Sequence, residues 1–494
     1  MTLSIEELEE IPDDSGIKKP GRSTLDLPEK VLQFGTGVLL RGLPDYFIDE
    51  ANRQGHFKGR IVVVKSTDGG DAKAFDRQNG LYTLCIRGIE HGHKISENRI
   101  SSAISRVLSA GSQWDEVLAL AGKDTIRIVI SNTTEVGIQL VEEDIHARPP
   151  ASFPGKLLAF LYARFQACAG SEKGGLVVIP TELISDNGRK LKDIVTTLAQ
   201  YNRLEQPFLD WLDRYNHFCN SLVDRIVPGR PDPVTLQNIQ KYLGYEDDLL
   251  LVCESYRLWA IEGDEDLLSG VLSFARADPG VVITPSIAVH KELKLRLLNG
   301  THTLSCGLAF LSGYDTVRDT MEDEAFQDFM QSLTLDEIAH AIPLSLPEGV
   351  AREFGLKVLD RFRNPYLEHR WINITLQYSS KMKMRVIPVL LQHYLLKGKV
   401  PPNMAKGFAG HILFMKAARV EGNKYFGESR GIHYPIQDDN AARYAEHWTV
   451  GDPPAVVRRV LGDTTLWDSD LTRLKGFEEA VLEDLVNIEA KGGI

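Results

Sequence analysis

A short apolar run, Val31 to Phe34, leads into Gly35-Thr36-Gly37, and an apolar segment from Val38 to Ile48 follows. Strand, glycine turn and helix in that order aim backbone N–H groups and a helix N-terminus at a phosphate. The third glycine of the dinucleotide fingerprint would fall at Leu40 and is missing; Arg41-Gly42 follows instead. Alone, GxG after a strand describes a plain tight turn more often than a cofactor loop. Its context favours the loop.

That context is a series of short β-branched runs, Arg60 to Val64, Leu81 to Ile86, Thr125 to Ile130 and Leu176 to Ile179, alternating with helical segments such as Gln113 to Ala121 and Pro154 to Gln166. Such alternation indicates a largely parallel sheet with helical crossovers, which binds ligands at the carboxyl ends of its strands. Polar groups gather there: Ser131-Asn132-Thr133-Thr134-Glu135 after one run, and Pro180-Thr181-Glu182 to Asn187-Gly188 after another. Past the second strand a carboxylate commonly takes the ribose hydroxyls of NAD. Here Asp68 stands a little late and Lys65 suits a 2′-phosphate equally, so this spot leaves NAD against NADP open. Asp224-Arg225 interrupts an apolar run, as a structural ion pair or as part of a site.

From about Pro285 strand signals nearly vanish and helical periodicity takes over, which places a domain boundary between Gly280 and Pro285. The expected organisation is a polar, irregular and flexible tail over residues 1–26, an α/β nucleotide-binding domain over 27–283 and a mainly α-helical domain over 284–494. At the entrance to the last lies His290 to Leu311. Its Leu293, Leu297, Gly300, Leu304, Leu308 and Leu311 fall on one helical stripe. At ~100° per residue Lys294, Asn299 and His302 share the opposite face with Leu295, Leu298, Cys306 and Ala309. A helix apolar on both sides is buried, and burial makes a lysine a proton donor and acceptor near neutral pH. Most helical lysines are solvated, however, and Asn299-Gly300 is more typical of a turn, so spacing alone ranks structure ahead of catalysis. The position suits a helix facing a cofactor on the first domain, across the kind of interdomain cleft small ligands prefer. Further on, Arg361, Arg363, Lys381, Lys383 and Arg385 stand beside apolar positions, either as a carboxylate site or as a solvated basic face. Gly431 to Asp439 reads as a loop that caps the cleft or packs a helix end.

Charge and cysteine usage exclude several classes. A formal net charge of -12 argues against a nucleic-acid or anionic-membrane partner. The 5 cysteines are scattered with no CxxC pair, the pattern of a reducing compartment without a disulfide framework or sulfur-rich zinc site. The acidic start MTLSIEELEE lacks the features of a secretory signal, so a cytoplasmic location is expected.

Lys294-x4-Asn299-x2-His302 resembles the signature of the mannitol-type, polyol-specific long-chain dehydrogenases, and Gly35, Gly37 and Arg41 are similar to that family's cofactor loop. QFGTGVLLRG, ISNTTEVGI, PTELISDNG, FCNSLVDRIV, LLNGTHT, RFRNPYLEH and YPIQDD resemble, in order, segments of its uronate-reducing members, from about residue 30 to about 440. The resemblance implies a Rossmann-type domain followed by a helical one, NAD (NADH) as cofactor, no metal, and reduction of a keto-uronate to an aldonate. Lys294 would be the general acid and base, Asn299 would polarise the carbonyl, and His302 would bind substrate oxygens and orient the lysine. Gly35, Gly37, Val38, Leu39, Arg41, Asn132, Thr133 and Glu135 would contact the cofactor. The sequence departs from the mannitol members at Leu183, where they carry an oxygen-binding asparagine that Asn187 could replace, and at Asn373, where they carry an arginine. A uronate needs an extra cation, so the substrate side is assigned to Asn187, Asp224, Arg361 and Lys381, Lys381 being favoured over Arg361, Arg363 and Arg385. The expected protein is a monomer or weak homo-oligomer acting on a small molecule. The nearest rival is a sibling oxidoreductase of the same family, reducing a uronate of other stereochemistry or a neutral polyol's ketone; the rival from another class is a non-catalytic sugar-acid or dinucleotide sensor that keeps the fold.

Overall fold

The computed structural model describes residues 1–66, 72–133, 137–491 and 493. Asp68 and Glu135 therefore lie outside the described residues. The chain forms two compact units, one of Met1–Arg87 with Lys94–Ile287 and one of Gly88–His93 with Ala288–Ile494.

The first unit is built on six parallel strands: β1 (Glu29–Phe34), β2 (Arg60–Lys65), β3 (Ile104–Ser109), β4 (Ile128–Ser131), β5 (Val177–Pro180) and β6 (His217–Phe218). Their order is β3-β2-β1-β4-β5-β6, with every adjacent pair parallel. Side chains alternate between two cores. Val31, Ile61, Val63, Ile128 and Ile130 pack on one face with Phe47, Ile48 and Ala51 of a helix following the glycine loop. Leu32, Phe34, Val62, Val64 and Val129 pack on the other with Trp114, Leu157, Leu161, Leu191 and Val195. Both faces are covered, which is why these strands read as continuous apolar runs.

Two expectations are corrected here. Leu81 to Ile86 belongs to a second sheet: the strand Tyr82–Glu90 neighbours His93–Ser101 and pairs in parallel with Leu251–Glu254. The chain turns at His91 and Gly92, both at positive φ, and returns without the helical crossover that the parallel sheet would need. The N-terminal residues are no loose tail either. Leu3, Leu8, Ile11 and Ile17 are buried against Leu81, Ile100, Leu236 and Leu250, and Ile17–Lys18 adds a parallel edge strand to His93–Ser101. Their irregular spacing among acidic residues hides this burial from any periodicity.

The second unit is mainly helical, with helices α1 (Ala288–Leu293), α2 (Asn299–Leu311), α3 (Val350–Phe362), α4 (Tyr378–Lys381) and α5 (Pro402–Phe414) bearing on the site. Residues Gly300 to Ala309 of α2 are all buried. A Cβ on Gly307 would stand 2.9 Å from the Gly410 carbonyl oxygen, and one on Gly410 2.9 Å from atoms of Leu308, so bare glycines let α2 and α5 meet backbone to backbone. Three π-turns interrupt the helices, at Lys294–Leu298, Leu333–Ile338 and Met382–Val386. Within the stretch Gly431 to Asp439, read as a loop, Ile432–Ile436 is instead the last strand of a three-stranded antiparallel sheet with Arg419–Glu421 and Lys424–Ser429, and Gly422 and Gly431, at positive φ, stand at its hairpin turns. Among the described residues no helix is long and apolar enough to cross a membrane.

Candidate functional site

In the first unit the strand order reverses between β1 and β4, where a ligand crevice opens in doubly wound sheets. Gly35 lies there with φ +121; its N–H donates to the Val64 carbonyl at 3.0 Å, and a Cβ would meet the Asn132 carbonyl oxygen at 3.0 Å. Gly37 is exposed, caps the helical turn Val38–Gly42, and has nothing within 4 Å of where a Cβ would stand. A bare backbone with open space at a strand-to-helix turn fits close approach of a pyrophosphate. Val38 and Leu39 are half-buried beside it. Arg41 is buried and braces the loop: Nε donates to the Thr36 carbonyl at 3.2 Å and Nη1 to that of Leu249 at 2.6 Å, while the guanidinium packs over Phe75 and Tyr82.

The end of β4 is organised by a residue that the sequence reasoning passed over. Glu182 is buried just past β5, and its carboxylate accepts from the Thr133 N–H at 2.9 Å, the Thr133 hydroxyl at 3.0 Å and the Ser131 hydroxyl at 3.1 Å. Asn132 donates to the Thr181 carbonyl and hydroxyl at 3.1 and 3.0 Å. An acidic residue one place after a strand-end threonine was the available signal.

Asn187 is a correction. Its Nδ2 donates to the carbonyls of Pro180, Glu182 and Ser221, each at 3.1 Å, and its Oδ1 accepts from the N–H groups of Gly188 and Ser221. Both amide donors and the acceptor are committed to backbone, so Asn187 has no hydrogen-bonding capacity for a substrate oxygen. Leu183 is largely exposed. Asp224 is buried at the end of the strand Ser221–Asp224, while Arg225 donates to the Glu254 and Gly42 carbonyls and packs over Tyr46.

In the second unit the π-turn sets the stripe. Lys294, Asn299 and His302 are spaced by five and then three; in an unbroken α-helix a five-residue step turns about 140° away. The Asn299 N–H bonds the Lys294 carbonyl, an i→i+5 closure that absorbs one residue, so the step acts like four and brings Lys294 over Asn299. Lys294 and Asn299 are half-buried, not enclosed as the all-apolar wheel suggested, and His302 is buried. Arg296 fixes the turn: Nε donates to Glu292 at 2.9 Å, and Nη1 to the carbonyls of Met384 and Arg385 at 2.5 and 3.1 Å. One guanidinium thereby ties the π-turn of Lys294 to that of Met382–Val386.

His302 stands among rings, with centroids at 4.4 Å to Phe362, 5.0 Å to His369 and 5.9 Å to Trp371. Burial, then the nearness of His369, Arg361 and Arg385, holds its pKa well below the usual imidazole range, so it is neutral at neutral pH. Its Nε2 and the Trp371 indole N–H are buried without a hydrogen-bond partner among the described residues. Burial, followed by Arg361 and Lys381, also lowers His369, and burial, then Arg385, lowers Lys381. Arg361, buried on α3, Lys381 at the end of α4, and Arg385 thus gather with the two imidazoles. Lys381 Nζ donates to the Ile374 carbonyl at 2.9 Å. The YPIQDD segment packs a helix end: Asp438 accepts from the Ser379 N–H at 2.7 Å and hydroxyl at 2.6 Å, and Gln377 N–H donates to the Gln437 carbonyl, anchoring the start of α4. Among the described residues no group of three or more His, Cys, Asp or Glu is arranged to hold a metal ion.

A strand order that reverses at a glycine loop is the dinucleotide-binding arrangement, and with a helical unit after it the chain falls in the class of two-domain, Rossmann-type oxidoreductases. Residues 29–269 match the Mannitol dehydrogenase Rossmann domain and residues 286–489 the Mannitol dehydrogenase C-terminal domain. The chain belongs to the mannitol dehydrogenase family. It is 38% identical over 470 residues to Altronate oxidoreductase of Bacillus subtilis (strain 168), covering 94% of each chain. It is 38% identical over 483 residues to Altronate oxidoreductase of Yersinia enterocolitica, covering 96% of each. Among solved structures, D-sorbitol dehydrogenase in substrate-free form superposes with a TM-score of 0.79 at 21% identity, over 100% of this chain and 99% of that one. Pseudomonas fluorescens mannitol 2-dehydrogenase, in its ternary complex with NAD and D-mannitol, superposes with a TM-score of 0.65 at 21% identity, over 100% and 98%.

Proposed function

We propose that the chain is an NAD-dependent tagaturonate reductase, interconverting D-tagaturonate and D-altronate in hexuronate catabolism. The observation that carries the sugar-acid substrate over a neutral polyol is a set of cations around His302: Arg361 adjoins Phe362, whose ring packs on His302 at 4.4 Å, Arg385 donates to the hydroxyl of the neighbouring Thr303 at 3.1 Å, and Lys381 lies four residues before Arg385. The altronate oxidoreductases similar to it along nearly the whole chain support the same reading.

Bound NADH supplies the hydride that reduces the ketone carbon. Negative charge then grows on the ketone oxygen, and the chain's work is to meet it. Lys294 Nζ delivers the proton that converts this oxygen to the hydroxyl, and takes it back in the oxidation of altronate. Asn299 Nδ2 donates a hydrogen bond to the same oxygen. A donor of this kind is typically worth roughly 3 to 4 kcal/mol of barrier. His302, kept neutral, donates or accepts through Nε2 according to its tautomer and so holds a neighbouring substrate hydroxyl. The cations Arg361 on α3, Lys381 at the end of α4 and Arg385 in the π-turn after it fix the carboxylate, which orients the ketone. In the first unit the Gly35–Gly37 loop holds the pyrophosphate, and Glu182 keeps the Asn132–Thr133 backbone in place beside it.

The test is loss of NADH absorbance with D-tagaturonate, D-fructuronate and D-fructose offered separately, and NADPH in parallel. Preference for tagaturonate with NADH is expected. Fastest turnover of fructose would overturn the carboxylate argument, and binding of NADH without oxidation under any of the three would favour the sensor.

A further inference from the structure

The basic residues of the second unit differ in how far the protein itself already uses them. Arg296 is paired with Glu292 at 2.9 Å, Arg363 with Asp360 at 3.6 Å and Lys383 with Asp468 at 2.7 Å. Arg385 differs from all three. It is half-buried and makes no ion pair among the described residues. Its Nη1 donates to the Thr303 hydroxyl at 3.1 Å, and its Nε is sealed from solvent with no acceptor among the described residues.

Guanidinium geometry makes that pattern specific. Nε and Nη2 form the edge whose two parallel N–H groups match two carboxylate oxygens. With Nη1 taken by Thr303, this edge is the one the protein leaves without an acceptor. A buried N–H without an acceptor is costly, and a half-buried cation without a counter-ion more so. Lys381, one π-turn earlier, gives one hydrogen bond to a carbonyl and is likewise without a carboxylate in ion-pair contact among the described residues. The Cys306 thiol that faces both is no counter-ion: burial pushes it up to about 12.

We infer that Arg385, through its guanidinium and together with Lys381, binds the carboxylate of the substrate and so sets the preference for sugar acids over neutral sugars. This rests on the sugar-acid reading given above and names the residue that enforces it. The anchor is held rigidly. Arg296 bonds the main-chain carbonyls of Met384 and Arg385 from within the Lys294 π-turn, so one side chain fixes the spacing between the proton-transfer group and the carboxylate anchor. A substrate with its ketone and carboxylate at the matching separation meets both at once; one with a hydroxymethyl in place of the carboxylate leaves the guanidinium edge unpaired.

The experiment compares D-tagaturonate with D-tagatose, its neutral counterpart carrying a hydroxymethyl group, in wild type, Arg385→Gln and Arg385→Lys. In Arg385→Gln the ratio of kcat/KM for tagaturonate to that for tagatose should fall on the order of 100-fold, mainly through KM of the acid. Arg385→Lys, which keeps the charge and loses the fork, should lie between. Should Arg385→Gln fail to fold, as circular dichroism would reveal, the ratio in Arg385→Lys decides. An unchanged ratio in a folded variant, whether both substrates suffer equally or neither does, overturns the role of Arg385 while leaving the wild-type preference for tagaturonate intact. A wild type that prefers tagatose overturns the sugar-acid reading itself, and the inference with it.

Discussion

Replacing Glu182 tests whether the end of β4 is held for a cofactor or merely for the fold. The carboxylate accepts three hydrogen bonds, two from Thr133 and one from Ser131. Each bond to a charged group is worth about 1.5 to 3 kcal/mol, yet the three losses do not add. Thr133 is half-buried and can turn its donors to water, whereas Ser131 is 1% exposed and cannot. Glu182→Ala should therefore cost about 3 kcal/mol of stability, read as a lower urea midpoint. Glu182→Gln keeps an acceptor for the Thr133 N–H and should cost about 1 kcal/mol. The diagnostic measurement is NADH affinity by fluorescence titration. If the Asn132–Thr133 backbone is preorganised by Glu182, ordering it falls to the binding step in the alanine variant, and Kd should rise about tenfold, which is about 1.4 kcal/mol. Lost stability with an unchanged Kd would make Glu182 a structural residue only; unchanged stability would refute the burial argument as well.

Three further outcomes are expected. If Lys294 is the proton donor proposed above, Lys294→Ala should lose at least about 100-fold in kcat while NADH affinity stays near wild type; stopped-flow turnover and fluorescence titration check the pair. Asp438→Ala removes the cap on α4 and should cost about 1 kcal/mol of stability and raise KM for the keto-uronate several-fold, with Asp438→Asn recovering part of both, as urea melts and initial rates would show. His411 is fully buried against the Tyr444 hydroxyl at 2.7 Å, and burial pushes it down from the usual 6.5 to about 3. The unfolded chain takes up this proton first, so stability falls from about pH 6.5 downward until the folded imidazole protonates near 3. Urea midpoints should show a loss on the order of 3 kcal/mol between about pH 7 and about pH 4.5, smaller in His411→Gln.

What the sequence makes legible and what it hides divide along a physical line. The β1 run, the glycine loop and the strand-end clusters depend on neighbours within a few residues, where a continuous apolar run and a glycine at positive φ leave local marks. Asn187 is different. Whether its amide serves a substrate or the backbone depends on carbonyls of Pro180 and Ser221, set beside it only by the fold. The same holds for the basic residues: nothing local distinguishes Lys383 and Arg363, which pair with Asp468 and Asp360, from Arg385, which pairs with no carboxylate among the described residues. The buried N-terminal residues escape for another reason, since Leu3, Leu8, Ile11 and Ile17 belong to no single helix or strand and so show no period.

The helix of Lys294 shows how a spacing read on a helical wheel can be drawn with the wrong geometry. A wheel at ~100° per residue sets Lys294 and Asn299 on one broad face but about 140° apart, too far for two groups to meet one oxygen. The five-residue spacing is instead what a π-turn requires, because its i→i+5 closure makes the fifth residue, not the fourth, the next neighbour along the stripe. A π-turn is less stable than the α-turn it replaces and persists only where its surroundings hold it. Arg296 supplies that hold, bonded to Glu292 on its own helix and to two carbonyls of the Met382–Val386 π-turn. The two turns are therefore tied together: the first carries Lys294, the proton donor of the proposed reaction, and the second carries Arg385, the proposed carboxylate anchor. A change that relaxed either into a plain α-turn would rotate its functional side chain off the stripe and loosen the other as well. The local irregularity at Asn299-Gly300, which on its own argues against a helix, is thus what brings Lys294, the Asn299 amide and the His302 imidazole onto one stripe.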